Sequence, residues 1–474
     1  MKRRVLLFLV ALAAAGCAVG PNYTKPQPGP NAGWHPSPKA AALLAAEAKA
    51  DAAWWRTWGD PTLTALIEQA ARNNHDVRLA GTRVQEARAM FSGAGAAGLP
   101  SLEASGTAQR QGRSENAWMP AAPGLKTQSS YYDAGFDASW ELDIFGGVQR
   151  SKEAAAARAQ VAEEEQRGAI LRVQGEVARA YTALRGAQKR YAVAVKNKEL
   201  QAKTLQVARQ RQKAGEGGAF EVARAEAQLR ITEAALPNLA AEARVNAYAL
   251  AVLTGQQPQA LLETLLAEKP LPAPKDLVPV GLPSEMLRRR PDVQAAERQL
   301  AAETADVGVA VADLFPRFFL TGGVGVEALA FSDVFRGNSG TYALGPSIRW
   351  PLFQGGAVRA RIRAQKAQAE GAAIAYEKAV LVALQEAESA LVRYGEEAVT
   401  RKVLAKGAAA ARQAVAIAGQ RYRAGEDNIL AVVDAERELA TVEDALALSE
   451  TRMLTNLAGL YKALGGGWEP FEKK

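Results

Sequence analysis

The chain has 474 residues, 48% of them apolar, with a formal charge of +8, one cysteine and two histidines. One cysteine excludes a disulfide scaffold, and with only His35 and His75 there is no metal-ligand spacing, no nucleophile elbow and no basis for an enzyme. The positive charge falls to +5 without Lys2, Arg3 and Arg4 and is spread among Glu residues, as on a solvated helix surface, so no nucleic-acid partner is expected.

Met1 to Gly16 has the cationic start, apolar run and small-residue end of a secretory signal peptide. It leads into Ala14-Ala15-Gly16-Cys17, which resembles the lipobox of bacterial lipoproteins. Cys17 is then either thioether-lipidated or an incidental small residue at an ordinary cleavage site; the resemblance favours the lipid. Ala18 follows instead of the Asp that retains lipoproteins at the inner membrane, which points to the outer membrane. No cofactor is expected beyond that covalent lipid.

Residues 17–59 read as a lipid-anchored strap, because six prolines between Pro21 and Pro38 prevent regular structure. A short helix is expected over 40–49. Trp54, Trp55 and Trp58 are packing anchors by type. The first structural repeat covers 60–269. Asp60-Pro61 caps its first helix, and a second helix runs from about Asp76 to Phe91. Gly93-Ala94-Gly95-Ala96-Ala97-Gly98 matches the dinucleotide fingerprint by letter, but the required strand-then-helix order is reversed, so it reads as a helix-to-strand joint.

From Tyr132 to Asp143 apolar and polar residues alternate strictly, with Tyr132, Ala134, Phe136, Ala138, Trp140 and Leu142 on one face. The other face carries Asp133, Asp137, Glu141 and Asp143. Weaker alternation over 102–109, 318–326 and 342–350 completes two β-hairpins, 101–143 and 316–352, with Phe319 breaking the pattern of the third strand. The length of these strands and their uncharged apolar faces are those of transmembrane β-strands. The four acids then line a lumen, either favouring cationic solutes or supplying general polarity.

Gly147 to Ala214 holds no proline and predicts a helix of about 100 Å. Gln210 to Glu216 ends it with basic residues and Gly215, the usual helix stop, and Gln420 to Glu426 repeats that stop 210 residues later around Gly425. Each stop precedes a fresh apolar run, near Phe220 and near Ile429, so each is the tip of a helical hairpin. Heptad-like spacing appears at Val380, Leu384, Ala387, Leu391 and Tyr394, and again at Leu454, Leu457, Tyr461 and Leu464. A linker over 270–283, a second repeat over 284–464 and a tail over 465–474 complete the chain. Asp76-Val77 and Asp292-Val293 match at an offset of 216, which with the tips marks an internal duplication.

Four strands cannot close around a lumen, and open sheet edges are not tolerated in lipid. Two chains would give eight strands filled by side chains; three would give twelve and room for water, the economical solution. The expected fold is an α+β membrane protein, a trimeric twelve-stranded β-barrel continued by a long α-helical barrel. The other reading is a structural periplasmic coiled-coil lipoprotein, which fits the helices and Cys17 but leaves the hairpins unexplained.

Trp140 to Gly146, Gly281 to Ser284 with Arg289 to Asp292, Arg421 to Gly425, and Tyr461 to Trp468 resemble the TolC/OprM outer-membrane efflux proteins, most closely the lipoprotein branch serving RND pumps. The resemblance implies a homotrimeric outer-membrane conduit of a Gram-negative cell with a large periplasmic extension. Its partners would be a periplasmic membrane-fusion adaptor, an inner-membrane RND-type pump and outer-membrane lipid. It also implies a gate at the periplasmic tip, mapped onto Tyr422, Asp434 and Glu221. Asp427 departs from the Arg of the family's best-known member, and Arg423 is the expected substitute in the latch. The other reading is that Tyr422 and Arg423 are simply amphipathic helix-end residues; the resemblance favours the gate. Gly215, Glu216, Gly425, Glu426 and Asp427 are the expected adaptor contacts.

Overall fold

The structure, a computed structural model, describes residues 18–26, 33–36, 41, 43–45, 51–112, 114, 128–274 and 277–472. The expected signal peptide, Cys17, most of the helix expected over 40–49 and most of the first hairpin's turn lie outside them.

The described elements repeat. Helices α1 (Pro61–Asn73) and α2 (His75–Ala96) lead to strands β2 (Ser101–Gly112) and β3 (Gln128–Leu142), then to α3 (Gly147–Lys213) and α4 (Ala219–Leu253). A short α5 (Leu262–Leu266) and the linker follow. Helices α6 (Pro283–Arg289) and α7 (Pro291–Ala312) then lead to β5 (Arg317–Ala328) and β6 (Gly340–Arg349), and to α8 (Ala357–Ala424) and α9 (Ile429–Ala463). The matching elements agree in length: 22 residues for α2 and α7, 67 and 68 for α3 and α8, 35 for α4 and α9. The duplication read from the sequence is a duplication of structure. α2 runs five residues beyond the expected end, carrying the glycine run as its last turn, because nothing in Gly93 to Ala96 blocks helical backbone.

Two compact units result, each drawing on both repeats. One comprises Met1–Pro26, Val84–Val161 and Ala296–Tyr376, and the other Gln27–Arg83, Ala162–Ala295 and Glu377–Lys474.

The first unit holds a four-stranded antiparallel sheet in the order β2-β3-β5-β6. Its two hairpins end alike. Trp140 Nε1 donates to the Gly98 carbonyl (3.0 Å) and Trp350 Nε1 to the Leu314 carbonyl (3.1 Å), so in each repeat a tryptophan at the foot of the second strand pins the chain entering the first. The strap docks on this unit. Val19 N–H donates to the Phe145 carbonyl (3.1 Å), and buried Arg150 donates to the Val19 carbonyl (3.1 Å) and to Asn22 Oδ1 (2.6 Å). Tyr23 donates to the fully buried Glu297, which also pairs with Arg298 and Lys25. Gly146, at φ +75°, leaves no room for a Cβ against Ala18.

In the second unit the three tryptophans are buried as expected, with Trp54 stacked on Tyr461 at 5.0 Å and Trp55 on Phe471 at 5.6 Å. Asp60 Oδ1 accepts from Thr62 N (2.8 Å) and Leu63 N (3.1 Å), the N-cap expected of Asp60-Pro61. A two-residue strand β1 (Leu44–Ala45) pairs in parallel with β4 (Val278–Pro279) of the linker. Two distant motifs prove to be one joint. Arg289 Nη2 donates to the Leu464 carbonyl (2.9 Å), Arg290 Nη1 to the Ala463 carbonyl (3.1 Å), and Trp468 Nε1 to the Arg289 carbonyl (3.2 Å). The expected stripe on α8 is shifted at its start: Ala383 is fully buried where Leu384 was expected, while Ala387, Leu391 and Tyr394 hold their places. Alanine there lets a neighbouring backbone approach closely, which a leucine would prevent.

Candidate functional site

Two regions carry the expected functional residues, one in each unit. In the second unit both long helices stop in the same way. Gly215 (φ +79°) and Gly425 (φ +74°) occupy the left-handed position after the helix, and the next amide closes back on the helix, Glu216 N to Arg211 O and Glu426 N to Arg421 O, both 2.9 Å. The arginine and glutamate of each turn also pair, Arg211 with Glu216 at 3.9 Å and Arg421 with Glu426 at 4.0 Å. Asp427 accepts from Asn428 N (2.9 Å) and pairs with Arg421 at 3.7 Å.

Behind the turns lies an apolar cluster of Leu205, Ala208, Ala225, Leu229, Ile429, Val432 and Val433, with Tyr422 in it, 3% exposed. The structure brings Tyr422 and Glu221 together: the hydroxyl donates to Glu221 Oε2 at 3.0 Å. Burial, then the bond to Glu221, pushes the Tyr422 pKa up to about 12, so the phenol stays a neutral donor throughout the physiological range. Arg423 does not join them. It is exposed, and its Nε donates to Gly419 O (2.9 Å) of its own helix, one residue on from Tyr422 and so turned about 100° from it around the helix axis. The cation on Tyr422 is instead Arg211, which donates to the Tyr422 carbonyl (2.7 Å) and holds its guanidinium 4.7 Å from the ring centroid. Sequence reasoning missed Arg211, although it is the counterpart of Arg421 at the tip offset. Asp434 is exposed and pairs with Arg437 one turn on (3.2 Å), away from the Tyr422 cluster. Gly215, Glu216, Gly425 and Glu426 are exposed at the turns, beside Phe220, which is 67% exposed.

In the first unit, register sorts the sheet into two faces. Tyr132, Ala134, Phe136 and Ala138 oppose Ala108, Gly106, Ala104 and Leu102 on β2 and Ala328, Val326, Val324 and Gly322 on β5. Val324, Gly322 and Phe318 in turn oppose Tyr342, Leu344 and Ile348 on β6. No charge interrupts these rows, and Tyr342 and Leu344 are 89% and 79% exposed. The polar face holds Asp133 opposite Thr107 and Glu327, Asp137 opposite Glu103 and Gly323, and Glu141 opposite Phe319. Glu103 and Glu327 thus join the acid set, which register shows and single-strand alternation does not. Asp143 leaves it: β3 ends at Leu142, and the Asp143 carboxylate accepts from Gln149 N (2.7 Å) at the start of α3, a capping bond that draws it off the strand face. Phe319 falls on the polar face, under the Arg349 guanidinium at 5.4 Å, which accounts for the broken alternation. Among the described residues no helix is long and apolar enough to cross a membrane.

The profile of a family described as outer membrane efflux protein matches residues 66–256 and 282–466. The chain belongs to the outer membrane efflux protein family. It is 32% identical to the pyoverdine export outer membrane protein OpmQ of Pseudomonas putida over 474 residues, 99% of this chain and 98% of that one. It is 30% identical to the outer membrane protein OprJ of Pseudomonas aeruginosa, over 98% of this chain and 96% of the relative. The solved outer-membrane channel OprN shares 38% identity with it at a TM-score of 0.87, covering 96% of this chain and all of that one. As a member of the efflux family, the chain is an α+β, internally duplicated channel component of the outer membrane.

Proposed function

We propose that three copies of this chain form one passive conduit, their twelve strands closing a β-barrel in the outer membrane and their helical hairpins extending into the periplasm. The observation that carries this is the sheet itself: an apolar face across four strands, interrupted only by Arg110 at the turn end of β2, with β2 and β6 left as open edges. Open edges are costly in lipid, and closure by further copies removes them. The acidic polar face then surrounds water. Solutes enter from a periplasmic membrane-fusion adaptor and an inner-membrane RND-type pump, which dock on the exposed tip residues Gly215, Glu216, Phe220, Gly425 and Glu426 and on the half-buried Asp427.

Cys17 carries the lipid in this proposal. Its neighbour Ala18 packs on Gly146 at the foot of β3, close to the stacked pair Phe145 and Phe315 (4.6 Å), where the apolar face of the sheet ends. The lipid is proposed to enter the membrane beside this end of the sheet.

The tip is a partner-opened gate, with Tyr422, Glu221 and Arg211 as its latch within each copy; Arg423 and Asp434 take no part in that cluster. Each contact is modest, so the differential affinity of a docking partner for the open tip is enough to shift the equilibrium. The test is conductance of the detergent-purified, lipidated protein in planar bilayers. Small, uniform, trimer-dependent steps are expected. Protein that stays monomeric and passes no current would sink the channel and leave a structural coiled-coil lipoprotein.

A further inference from the structure

Each open edge of the sheet carries a polar-face charge that its own copy leaves unanswered. On β2, Glu103 lies directly across from Asp137, and on β6, Arg349 lies directly across from Arg317. Like charges in directly opposed positions destabilise a sheet. Arg317 is drawn toward Asp313 (2.6 Å) and Glu141 (4.0 Å). Arg349 only overlies Phe319, and among the described residues neither Arg349 nor Glu103 makes an ion pair.

The two edges are also matched in length and direction. β2 runs Ser101–Gly112 and β6 runs Gly340–Arg349. Laid antiparallel with their hairpin-turn ends flush, Gly340 faces Gly112. Nine residues on from Gly340 is Arg349, and nine residues back from Gly112 is Glu103. A slip of one residue would set the apolar face of one strand against the polar face of the other. A slip of two would set Arg349 opposite Ser101 or Ser105. Only the flush register answers both charges.

We infer that β6 of one copy pairs with β2 of the next in this register, joined on the lumen side by an ion pair between Arg349 and Glu103. The occupant of both edges is a second copy of this chain. The row across the seam then reads Arg317, Arg349, Glu103, Asp137, so each like-charged pair gains an opposite neighbour. This rests on the barrel-closure reading above and adds the register and the residues that set it.

Cysteine pairs in the full-length protein, assayed in outer membranes on non-reducing gels, test the register. Glu103→Cys with Arg349→Cys should yield covalent trimers, since each copy offers one thiol to each neighbour. Ser101→Cys or Ser105→Cys with Arg349→Cys should yield far fewer. A wild-type protein that is monomeric in mild detergent overturns the closure reading itself. A stable wild-type trimer that cross-links through residue 101 or 105, or equally through all three, leaves closure intact and overturns this register. Charge reversal tests the ion pair. Arg349→Glu and Glu103→Arg each create an opposite pair within their own copy, so neither harms its own sheet, but each sets like charges at the seam. Each should lower the temperature at which the trimer band is lost in SDS, and the double reversal should restore it. A double variant no better than the worse single variant overturns the ion pair.

Discussion

The two hairpin tips share one backbone and differ in what their side chains do. Both end in a left-handed glycine, both close the helix with the same 2.9 Å bond, and both pair an arginine with the glutamate five residues on. At the tip offset of 210, however, Tyr422 corresponds to Gln212 and Glu221 to Ala431. The hydroxyl-to-carboxylate bond therefore forms once per copy, between repeats, and cannot be mirrored. Duplication supplied the turn; divergence of two positions supplied the bond between Tyr422 and Glu221. The start of the returning helix diverges as well, since Asn428 caps α9 through bonds to Leu430 N and Ala431 N, whereas Gly218 offers α4 no side chain.

Arginine substitutions break this comparison most strongly. Arg211 and Arg421 are counterparts, but only Arg211 reaches across to Tyr422. A hydrogen bond from a charged donor contributes about 1.5–3 kcal/mol and the ring contact about 0.5–1 kcal/mol more. Arg211→Ala should therefore raise the open probability of the channel at least about tenfold, at about 1.4 kcal/mol per decade. Arg421→Ala, which removes only exposed ion pairs, should change it little. Equal effects from the two in single-channel recordings would mean that the arginines act only on their own turns.

A smaller effect is expected from the phenol. Tyr422→Phe keeps the ring in its apolar cluster and removes one bond to a carboxylate that water can then reach, a loss of about 1 kcal/mol, or about fivefold in open probability. Gln212→Ala at the counterpart position should leave conductance unchanged. The latch assignment fails if Tyr422→Phe behaves like wild type while Arg211→Ala opens the channel, since the arginine would then be acting alone.

Much of this was legible in the sequence because it depends on local chemistry. The glycine stops at 215 and 425, the cap at Asp60 and the alternation from Tyr132 to Leu142 are set by backbone conformation and period, which neighbouring residues dictate. The pairing of Tyr422 with Glu221 came from resemblance, and the geometry places them in contact. What could not be read depends on which elements face each other. Arg211 is one of several arginines near the first tip, and only the approach of α8 to α3 singles it out. Glu103 and Glu327 become neighbours of Asp137 and Asp133 through cross-strand register, which hairpin patterns do not fix. Asp143 continued the alternation by letter, but the helix that follows claimed its carboxylate. Arg423 sits one residue from Tyr422, and at 100° per residue that step turns it out of the buried cluster, where it bonds to Gly419 O of its own helix.

The least effect, and the sharpest use of the comparison, concerns a second pair of counterparts. Glu226 on α4 is partly exposed and pairs with Arg209 (3.1 Å) and Arg230 (3.4 Å). Its equivalent, Glu436 on α9, is 2% exposed and accepts a bond from Thr204 Oγ1 at 2.6 Å. Glu436 borders a cavity of about 450 Å³ shared with Lys203, Arg412 and Arg423, none of which forms an ion pair with it. Burial raises its pKa above the ordinary carboxylate value, with the Thr204 bond opposing. A raised folded-state pKa means that the protonated form is favoured by folding. Its stabilising contribution is complete below the unfolded carboxylate pKa and is lost as pH rises through the folded value. The second tip should therefore protect its backbone amides better at pH 5 than at pH 8, and the first tip should not show this difference. Glu436→Gln keeps an acceptor for Thr204 and removes the charge, so amide exchange over 429–433 should slow at pH 8 and lose most of its dependence on pH. An unchanged pH dependence in that variant would show that another group titrates there and that Glu436 is stably ionised in its buried position.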